Sequence, residues 1–399
     1  MSPYPESRNV ILLFVLASLP LFFSAHVEDP EAVVADVMRS IENTTTEAQR
    51  RQLSEYHCLT GNPIDDCWRC DPNWMKNRKR LADCGLGFGR KAIGGRNGEF
   101  YLVNTSRDDD DYRNPRPGTL RYGLRQKKPL WIIFKRNMSF KLKRHLVIES
   151  DKTIDGRGVT VRISDGPCLV IRFANNIIIH GLHIYNCKKR LVDGDGIQIF
   201  RGSNIWVDHN YMSNCEDGLI DAVFGSTAIT ISNNYFTHHD HTILLGHNDN
   251  FTMDKKMQVT VAFNHFGKGL IQRMPRCRFG YFHVVNNDYT RWEMYAIGGS
   301  AGATINSQGN KFVAPNHIFH KQVTMRPNTP KSVWKHWNWL SSGDEFHNGA
   351  YFVESGSKSS SIYAKAWSLK PKLSSLVGRL TKEAGVLKCQ KGSPCWVRL

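Results

Sequence analysis

Several aspartates near the middle of the chain have the spacing of a cation site. Asp193 and Asp195 form an Asp-Gly-Asp motif, and Asp217 and Asp221 bound the motif Asp-Gly-Leu-Ile-Asp. Carboxylates held close together repel one another unless a cation binds them, and Ca²⁺ takes roughly six to eight oxygen ligands. Mg²⁺ suits a loose groove less well. The alternative is that these aspartates cap turns, as short polar side chains often do.

Arginines follow the aspartates along the chain. Arg273, Arg276 and Arg278 lie in the run Gln-Arg-Met-Pro-Arg-Cys-Arg. Guanidinium groups bind carboxylates through paired, charge-assisted hydrogen bonds. The stretch from Asp193 to Arg278 therefore predicts a hard cation beside an acidic substrate. From the residues alone, the alternative for Arg273 is an ordinary structural ion pair.

The elements that must position these residues are short strands. Apolar or alternating runs, at 130–134, 146–148, 159–163 and 169–171, are bounded by Gly, Asn, Asp or Lys. This pattern indicates strands separated by turns. No helical run of comparable length interrupts them, so a sheet built from βαβ units is not expected.

Asparagine recurs at the ends of the later strands. Asn210, Asn234, Asn264, Asn287 and Asn310 are about 23 to 30 residues apart. One dominant strand per interval predicts coils of a right-handed parallel β-helix. Stacked Asn side chains would form hydrogen-bonded ladders at the bends, where Asn tolerates the left-handed conformation. An antiparallel sandwich, the alternative, would need hairpin turns, which are scarce.

The full fold class predicted is all-β. It is a right-handed parallel β-helix with a small helical, Cys-rich N-terminal extension and a basic C-terminal tail. On such a helix, residues one coil apart lie about 4.8 Å from each other. Asp193 and Asp217 are about one coil apart in sequence, and Asp221 follows closely. The three carboxylates are therefore expected to share one groove.

Composition limits the function classes. The chain has 399 residues, is 41% hydrophobic and carries a formal net charge of +17. It can fill a substantial core, and its basic surface suits nucleic acid, anionic lipid or an acidic polysaccharide. No zinc-finger spacing, RNA-recognition signature or long basic tract favours nucleic acid. We expect no nucleic-acid partner.

The beginning of the chain reads as a secretory signal peptide. Arg8 precedes an apolar run from Val10 to Phe23 that Pro20 interrupts, and cleavage is expected near Ala25. A membrane anchor is the alternative, but the run is short and broken. We therefore expect a secreted protein with no membrane association after signal removal. Its ten cysteines are then disulfide candidates, and the sequons at Asn43, Asn104, Asn137 and Asn250 are candidate glycosylation sites.

Four regions are expected along the chain. They are a signal peptide at 1–25, a helical and Cys-rich extension at 26–85, a β-helix catalytic domain at 86–328, and a C-terminal region at 329–399 that packs on the β-helix. The boundaries follow the change in sequence composition from a Cys-rich segment to a segment rich in predicted strands, and then to a basic tail rich in Ser, Gly and Lys.

Several blocks of the chain resemble one known family. From about Cys67 to Pro315 the sequence closely resembles plant pectate lyases of polysaccharide lyase family one, which include pollen allergens. The blocks are Cys67-Trp68-Arg69-Cys70, Asn77 to Cys84, Trp206-Val207-Asp208-His209, Asp217 to Asp221, Phe266 to Ile271, Gln272 to Arg278, Gly280 to Tyr289 and Ala296 to Ser300.

The resemblance implies an enzyme and assigns its site. Such a pectate lyase, a carbon-oxygen lyase acting on polysaccharide, would cleave de-esterified pectin (polygalacturonate) by calcium-dependent β-elimination, giving unsaturated oligogalacturonides. It implies Ca²⁺ ligands at Asp193, Asp217 and Asp221, with Asp195 as a further ligand. It implies Arg273 as the catalytic arginine and Arg278 as a substrate-binding arginine. We add Arg276, Lys268 and His241 as substrate-binding candidates; His241 lies where some relatives have a substrate-contacting lysine.

The resemblance and proximity in sequence favour three disulfides: Cys67–Cys84, Cys168–Cys187 and Cys389–Cys395. Cys58 can pair with Cys70, while Cys215 and Cys277 are interpreted as buried thiols. The secreted enzyme is expected to act as a monomer in the cell wall.

One departure from the family pattern keeps a second function open. Many plant members have a longer loop before the Asp-Gly-Asp motif, whereas here only Lys188 to Val192 separate Cys187 from Asp193. The alternative is therefore a non-catalytic pectate-binding wall protein, or an allergen-like homologue, whose cleft the short loop has altered. A polygalacturonase is also conceivable, but its Asn-Thr-Asp-Gly and Gly-His-Gly motifs are absent from this sequence.

Overall fold

The computed structural model describes residues 59–108, 112–190 and 193–395. Their main feature is a set of three long parallel sheets, in which strands of successive coils pair in register along the chain. Most coils contribute one strand to each sheet, and the connections between sheets are bends rather than hairpins. The predicted parallel β-helix is confirmed.

The strands of each sheet follow one another along the chain. The ten-stranded sheet contains β1 Glu99–Val103, β2 Leu130–Phe134, β5 Lys152–Asp155, β8 Asn175–His180, β11 Ser203–Asp208, β14 Thr227–Ser232, β18 Gln258–Ala262, β22 Tyr281–Val285, β25 Thr304–Gln308 and β28 Trp339–Ser342. The nine-stranded sheet contains β3 Met138–Phe140, β6 Val161–Ser164, β9 His183–Tyr185, β12 Tyr211–Ser213, β15 Tyr235–Thr237, β19 His265–Phe266, β23 Asp288–Thr290, β26 Lys311–Val313 and β29 Glu345–His347.

The third sheet carries the candidate site. This eight-stranded sheet contains β4 Leu146–Ile148, β7 Leu169–Arg172, β10 Ile197–Phe200, β13 Ile220–Val223, β17 Ile243–Leu245, β21 Arg276–Arg278, β24 Ile297–Ser300 and β27 Thr324–Met325. A separate pair, β16 His239–His241 and β20 Leu270–Gln272, lies in the connections that lead into it.

Helices are short and lie outside the sheets. They are α1 Pro63–Trp68, α2 Leu120–Arg125, α3 Lys331–Trp334, α4 Ser360–Tyr363 and α5 Val377–Leu380, with 3-10 turns at Arg78–Asp83, Thr252–Lys256, Ile318–His320, Ala364–Ala366 and Ser374–Leu376. No helix in the described ranges is long and apolar enough to cross a membrane.

The inside of the coil is filled by side chains that stack from one coil to the next. Phe236, Phe266, Tyr289 and Phe312 are buried and form a continuous aromatic column that ends on the exposed Phe346, with neighbouring ring centroids 4.6 to 5.6 Å apart. Stacking at this spacing matches the strand separation, so each ring contacts the ring of the next coil. The column holds successive coils in register.

The predicted asparagine ladder is confirmed at the bend between the ten-stranded and nine-stranded sheets. Each side-chain oxygen accepts from the amide of the preceding Asn: Asn234 from Asn210, Asn264 from Asn234, Asn287 from Asn264 and Asn310 from Asn287, all at 2.9 to 3.0 Å. One detail differs from the expectation. The left-handed residue is the one before each ladder Asn, such as His209 or Asn233, and the ladder Asn itself is not among the positive-φ residues.

The N-terminal and C-terminal segments cover the outside of the ten-stranded sheet. Asp65 pairs with Arg69 at 2.6 Å and with His209 of the β-helix at 2.8 Å. His209 also contacts the carbonyl of Gly385 at 2.9 Å. The parallel strands themselves continue past residue 328 to β28 and β29.

The three expected disulfides, Cys67–Cys84, Cys168–Cys187 and Cys389–Cys395, are all formed. Cys70 is also disulfide-bonded, and Cys58 lies outside the described residues. Cys215 and Cys277 are free thiols, the first half-buried and the second fully buried. The expected signal peptide and the sequon at Asn43 also lie outside the described residues.

Candidate functional site

One outward-facing row of residues on the eight-stranded sheet contains both a carboxylate, at Asp221, and a guanidinium, at Arg276. Strand register aligns Gln198 with Asp221, Asp221 with Leu244, Leu244 with Arg276, and Arg276 with Gly298. Since neighbouring strands are about 4.8 Å apart, the Asp221 and Arg276 positions are separated by roughly 10 Å. Residues distant in sequence thus face the same groove.

Two carboxylates meet around Gly218. The Asp195 carboxylate accepts hydrogen bonds from the backbone N–H of Gly218 at 2.7 Å and from the Gln198 amide at 3.2 Å. A Cβ at Gly218 would lie 2.2 Å from Asp221 Oδ1 and 3.1 Å from Asp195 Oδ1. Only glycine therefore allows both carboxylates to approach this backbone.

Burial and mutual repulsion raise the pKa of both groups. Burial, with the nearby charges of Asp217 and Asp193, raises the pKa of Asp195 to about 7. Burial and the charge of Asp195 raise the pKa of Asp221 well above its usual range. Without a neutralising partner, ionising these carboxylates costs free energy.

The other two aspartates lie nearer the solvent. Asp193 is exposed, with Lys189 Nζ 3.8 Å from its carboxylate. Asp217 is half-buried, and its carboxylate lies 3.8 Å from His241 Nδ1. The His241 imidazole lowers the pKa of Asp217. Asp195 is thus buried, Asp217 and Asp221 are half-buried, and Asp193 is exposed.

The donor set matches the oxygen ligands that Ca²⁺ prefers. Asp221 Oδ1 is buried and has no hydrogen-bond partner, which leaves a charged oxygen directed into the cluster. Among the described residues, no three His, Cys, Asp or Glu side chains stand in a ready metal-ligating arrangement. The residues fit a hard cation in type and charge.

The arginines converge on the other side of the row. Arg273 follows β20 with a positive φ of 63°, and its carbonyl accepts from the Ile243 N–H at 2.6 Å. The Nε atoms of Arg273 and Arg276 are both buried without a hydrogen-bond partner. Burial, with the charges of Arg278 and Arg273, lowers the pKa of Arg276. These unsatisfied donors are suited to an anionic ligand.

Arg278 is held in place by the long connection that follows β17. Its Nε donates to the Asp249 carboxylate at 3.0 Å and its Nη1 donates to the carbonyl of Gly246 at 2.9 Å. Ser300 donates to the same Asp249 oxygen at 2.5 Å. Asp249 was not singled out from the sequence, where it reads as one more polar loop residue.

The two remaining candidates lie at different ends of β20. His241 pairs in register with Gln272, directly before Arg273, so it faces both Asp217 and the arginine side of the groove. Lys268 is exposed in the turn before β20, at the end opposite Arg273, and its carbonyl accepts from the N–H of His238. The structure brings His241 into the cluster and leaves Lys268 at its edge.

Tyr295 is a further buried polar residue in this region that the sequence did not indicate. Its hydroxyl is buried without a hydrogen-bond partner. Burial raises the pKa of Tyr295, and the positive charges of Arg276, Arg273 and Arg278 oppose that rise. Its only sequence signal is its position next to the Ala296-Ile297-Gly298 block.

The short connection before Asp193 is tied to the next coil. The N–H of Lys189 donates to Glu216 at 2.6 Å, and Lys188 Nζ lies 3.2 Å from the same carboxylate. Arg190 donates to the carbonyl of Lys143. Residues 191 and 192 lie outside the described ranges. The described part of this connection is therefore anchored beside the aspartates.

Comparison with known proteins agrees with this geometry. Residues 135–388 match the family model described as pectate lyase. A pectate lyase from Zinnia elegans is 58% identical over 96% of this chain and 98% of its own length.

Solved structures share the fold. The cedar pollen allergen Jun a 1 is 47% identical, covers 82% of this chain and 99% of its own, and has a TM-score of 0.79. A pectate lyase from Bacillus sp. N165, solved in complex with trigalacturonate, is 21% identical, covers 76% of this chain and 98% of its own, and has a TM-score of 0.58.

The resemblance noted in the sequence is thus confirmed over nearly the whole chain. The family match, the relative at 58% identity and the shared β-helix agree with one another. This chain belongs to the pectate lyase family, enzymes that act on pectate as carbon-oxygen lyases.

Proposed function

We propose that this protein cleaves de-esterified pectin, or polygalacturonate, by calcium-dependent β-elimination and releases unsaturated oligogalacturonides. The observation that carries the proposal is the outward row of the eight-stranded sheet, which holds Asp221 and Arg276 in one groove. An acidic polymer lying along this row would meet a cation-binding cluster and a guanidinium cluster in succession.

The carboxylates of Asp193, Asp195, Asp217 and Asp221 would hold Ca²⁺. Support comes from the raised pKa values of Asp195 and Asp221 and from the buried, unsatisfied Oδ1 of Asp221. When bound, the ion withdraws charge from the substrate carboxylate and so makes the neighbouring C5 proton easier to remove. Oxygen ligands of the substrate would complete the site.

The arginines act on the same sugar. Arg273 is proposed to face the C5 proton, either as its acceptor or as a fixed positive charge that stabilises the charge developing on the carboxylate. Because arginine is normally protonated in proteins, a neutral guanidine needs neighbours that disfavour its charge. Arg278, Arg276, Lys268 and His241 are proposed to bind the substrate.

The bond changes balance without water. The C5–H bond breaks and its proton passes to the base, while the electron pair forms the C4–C5 double bond. The bond from C4 to the glycosidic oxygen then breaks, and that oxygen leaves after taking up a proton. One product therefore carries a new double bond conjugated with its carboxylate.

The setting of the reaction follows from the sequence. We infer that residues 1–25 are removed as a signal peptide and that a monomeric enzyme reaches the cell wall. The disulfides are those of an oxidising compartment. The relative solved with trigalacturonate supports an oligogalacturonate as the ligand of the groove.

The test is an ultraviolet assay for the unsaturated product. Purified protein is added to polygalacturonate with calcium, with and without a chelator. We expect the absorbance to increase when calcium is present and the increase to stop when the chelator is added. An absorbance rise that the chelator leaves unchanged would refute the calcium dependence.

The five residues between Cys187 and Asp193 favour the second candidate, a non-catalytic pectate-binding wall protein. It predicts calcium-dependent retention on immobilised polygalacturonate with no unsaturated product. Measuring binding and product on the same preparation separates the two functions.

A further inference from the structure

The outward row changes character beyond Arg276. The next positions are Gly298 and Met325, on β24 and β27. A Cβ at Gly298 would lie 2.4 Å from Tyr295 Cε2, so the Tyr295 ring occupies the space where a side chain would stand. Met325 is 39% exposed. The Tyr295 ring is itself buried (1% exposed), so where earlier coils present a carboxylate and a guanidinium, the outward row ends on the thioether of Met325.

The rim beside these positions is apolar as well. The loop before β24 contacts β20 just before Arg273, because the Met294 N–H donates to the Ile271 carbonyl. The loop before β27 contacts the loop before β24 in turn, because Trp292 Nε1 donates to the His320 carbonyl. On this rim Met294 is 42% exposed, Ile318 73% and Phe319 81%. Exposed apolar side chains grouped in this way mark a binding surface.

The two basic side chains that flank β27, Arg326 and Lys321, are bonded to other groups and do not face this end of the row. Arg326 is buried, with its guanidinium 3.9 Å from the ring of Trp339, and donates to Val353 and Ser355. Lys321 Nζ donates to the carbonyls of Pro315 and Asn348.

The loop before β24 adds little net charge, because its exposed Arg291 and Glu293 are of opposite sign. A free carboxylate bound beyond Arg276 would therefore lose water without gaining a strong cationic partner, whereas a neutral ester would not pay that cost.

We propose that this apolar end of the cleft, formed by Met325, Met294, Ile318 and Phe319, binds a methyl-esterified galacturonate unit. The free carboxylates of the same polymer lie between Asp221 and Arg276. The inference rests on the function proposed above and refines its substrate to partly methyl-esterified pectin. Continuity supports this occupant, because Met325 belongs to the same outward row, roughly 10 Å from Arg276 at two strand spacings.

The test compares two substrates with calcium present: polygalacturonate and partly methyl-esterified pectin. Met325→Lys adds a cation that favours a free carboxylate, so kcat/KM on the esterified substrate relative to polygalacturonate should fall about tenfold. The double variant Ile318→Ser with Phe319→Ser should lower the same ratio while leaving activity on polygalacturonate close to that of the unmodified protein. Leu373→Ser, at an equally exposed position (73%) in the C-terminal segment, should leave the ratio unchanged.

Three outcomes would overturn the inference. One is an unchanged substrate ratio in both variants. Another is a loss of self-association in the double variant with no change in ratio, which would make the apolar end a contact between copies of this chain. If the unmodified protein gives no unsaturated product from either substrate, the proposed function fails instead. Affinity electrophoresis in gels containing each polymer then tests the inference: equal retention of Met325→Lys and the unmodified protein would overturn it.

Discussion

At the scale of single residues, the site depends on charges that the fold leaves unsatisfied. Asp221 Oδ1 and the Nε atoms of Arg273 and Arg276 are buried without hydrogen-bond partners. Most buried polar groups in proteins are paired, because an unpaired one costs free energy. Because the Asp221 carboxylate makes no ion pair with Arg273 or Arg276, each group remains able to bind an external ion. A site that uses a cation to bind an acidic polymer needs this property.

Arg273→Lys should lower kcat on polygalacturonate about 100-fold or more, because a single ammonium cannot reproduce the guanidinium's position and fork of donors. The measurement is the initial rate of unsaturated product formation, with near-ultraviolet circular dichroism as the check on folding. Arg201→Lys is the matched control, since Arg201 is also an arginine at positive φ but lies in an exposed bend. Equal losses in both variants would contradict a catalytic role for Arg273.

Asp221→Asn should stabilise the protein when metal is chelated and abolish stabilisation by calcium. Burial and neighbouring carboxylates raise the pKa of Asp221 in the folded state, so its ionisation opposes folding at neutral pH. Removing that charge should raise Tm by about 2 °C or more in a chelator. Thermal unfolding with and without calcium measures both effects. A calcium-induced rise in Tm as large as that of the unmodified protein would place the metal elsewhere.

At the scale of elements, the coils are held in register by side-chain ladders at defined positions. The asparagine ladder ends on Asp344, whose carboxylate accepts from the N–H and the amide of Asn310 at 2.7 and 3.0 Å. The aromatic column runs beside it inside the coil. Register matters for function, because a shift by one residue would turn Asp221 and Arg276 away from the groove.

Asn264→Ala should lower the free energy of unfolding by about 3 kcal/mol, because it leaves several buried groups without partners. Asn264 accepts from the N–H and the amide of Asn234 and donates to Ile231 and Asn287. Chemical denaturation measures the effect. Asn175→Ala, at an exposed position on β8, is the control and should cost less than 0.5 kcal/mol or so. Similar costs at the two positions would show that the ladder adds little stability.

At the scale of the whole molecule, buried charges attach the terminal segments to the β-helix. Asp155 accepts from Arg78 at 2.9 Å, Arg157 at 2.7 Å and the Trp131 indole at 3.0 Å. Burial alone would raise the pKa of Asp155, but the guanidiniums of Arg157 and Arg78 outweigh it and lower the pKa. The same balance, with His209 and Arg69 as partners, lowers the pKa of Asp65.

These shifts predict how stability depends on pH. Because the folded pKa values of Asp155 and Asp65 are lowered, their contribution is present above about pH 4 and is lost as the pH falls through the folded values. Burial lowers the pKa of His209, but Asp208 and Asp65 outweigh it and raise the pKa. The contribution of His209 is therefore complete below about pH 6.5 and is lost as the pH rises through its folded value. Tm measured as a function of pH should therefore pass through a maximum and fall at both lower and higher pH.

Asp155→Asn tests this network. It should lower the free energy of unfolding by about 3 to 5 kcal/mol at neutral pH, because two buried guanidiniums lose their carboxylate, and it should flatten the acid side of the Tm profile. Asp83→Asn removes a surface pair with Arg96 and should cost less than about 1 kcal/mol. An acid side as steep in Asp155→Asn as in the unmodified protein would assign the acid sensitivity to other carboxylates.

The sequence by itself determined the coil repeat and the asparagine ladder, and the motifs that resemble a known family identified that family. The three disulfides were predicted from this resemblance together with the proximity of the cysteines. Strand patterns, Asn spacing and Cys proximity are local features, so they can be recognised in the sequence without knowledge of the packing. The Asp and Arg blocks were likewise recognisable, because their order in the chain is close to their order along the groove.

Only the tertiary structure decided which side chains face one another. It placed Tyr295 over Gly298, tied Arg278 to Asp249 and aligned Asp221 with Arg276 through Leu244. It also carried the parallel strands beyond residue 328. These relations depend on strand register and on loops of unequal length. Register is set by packing across coils, which no single coil encodes.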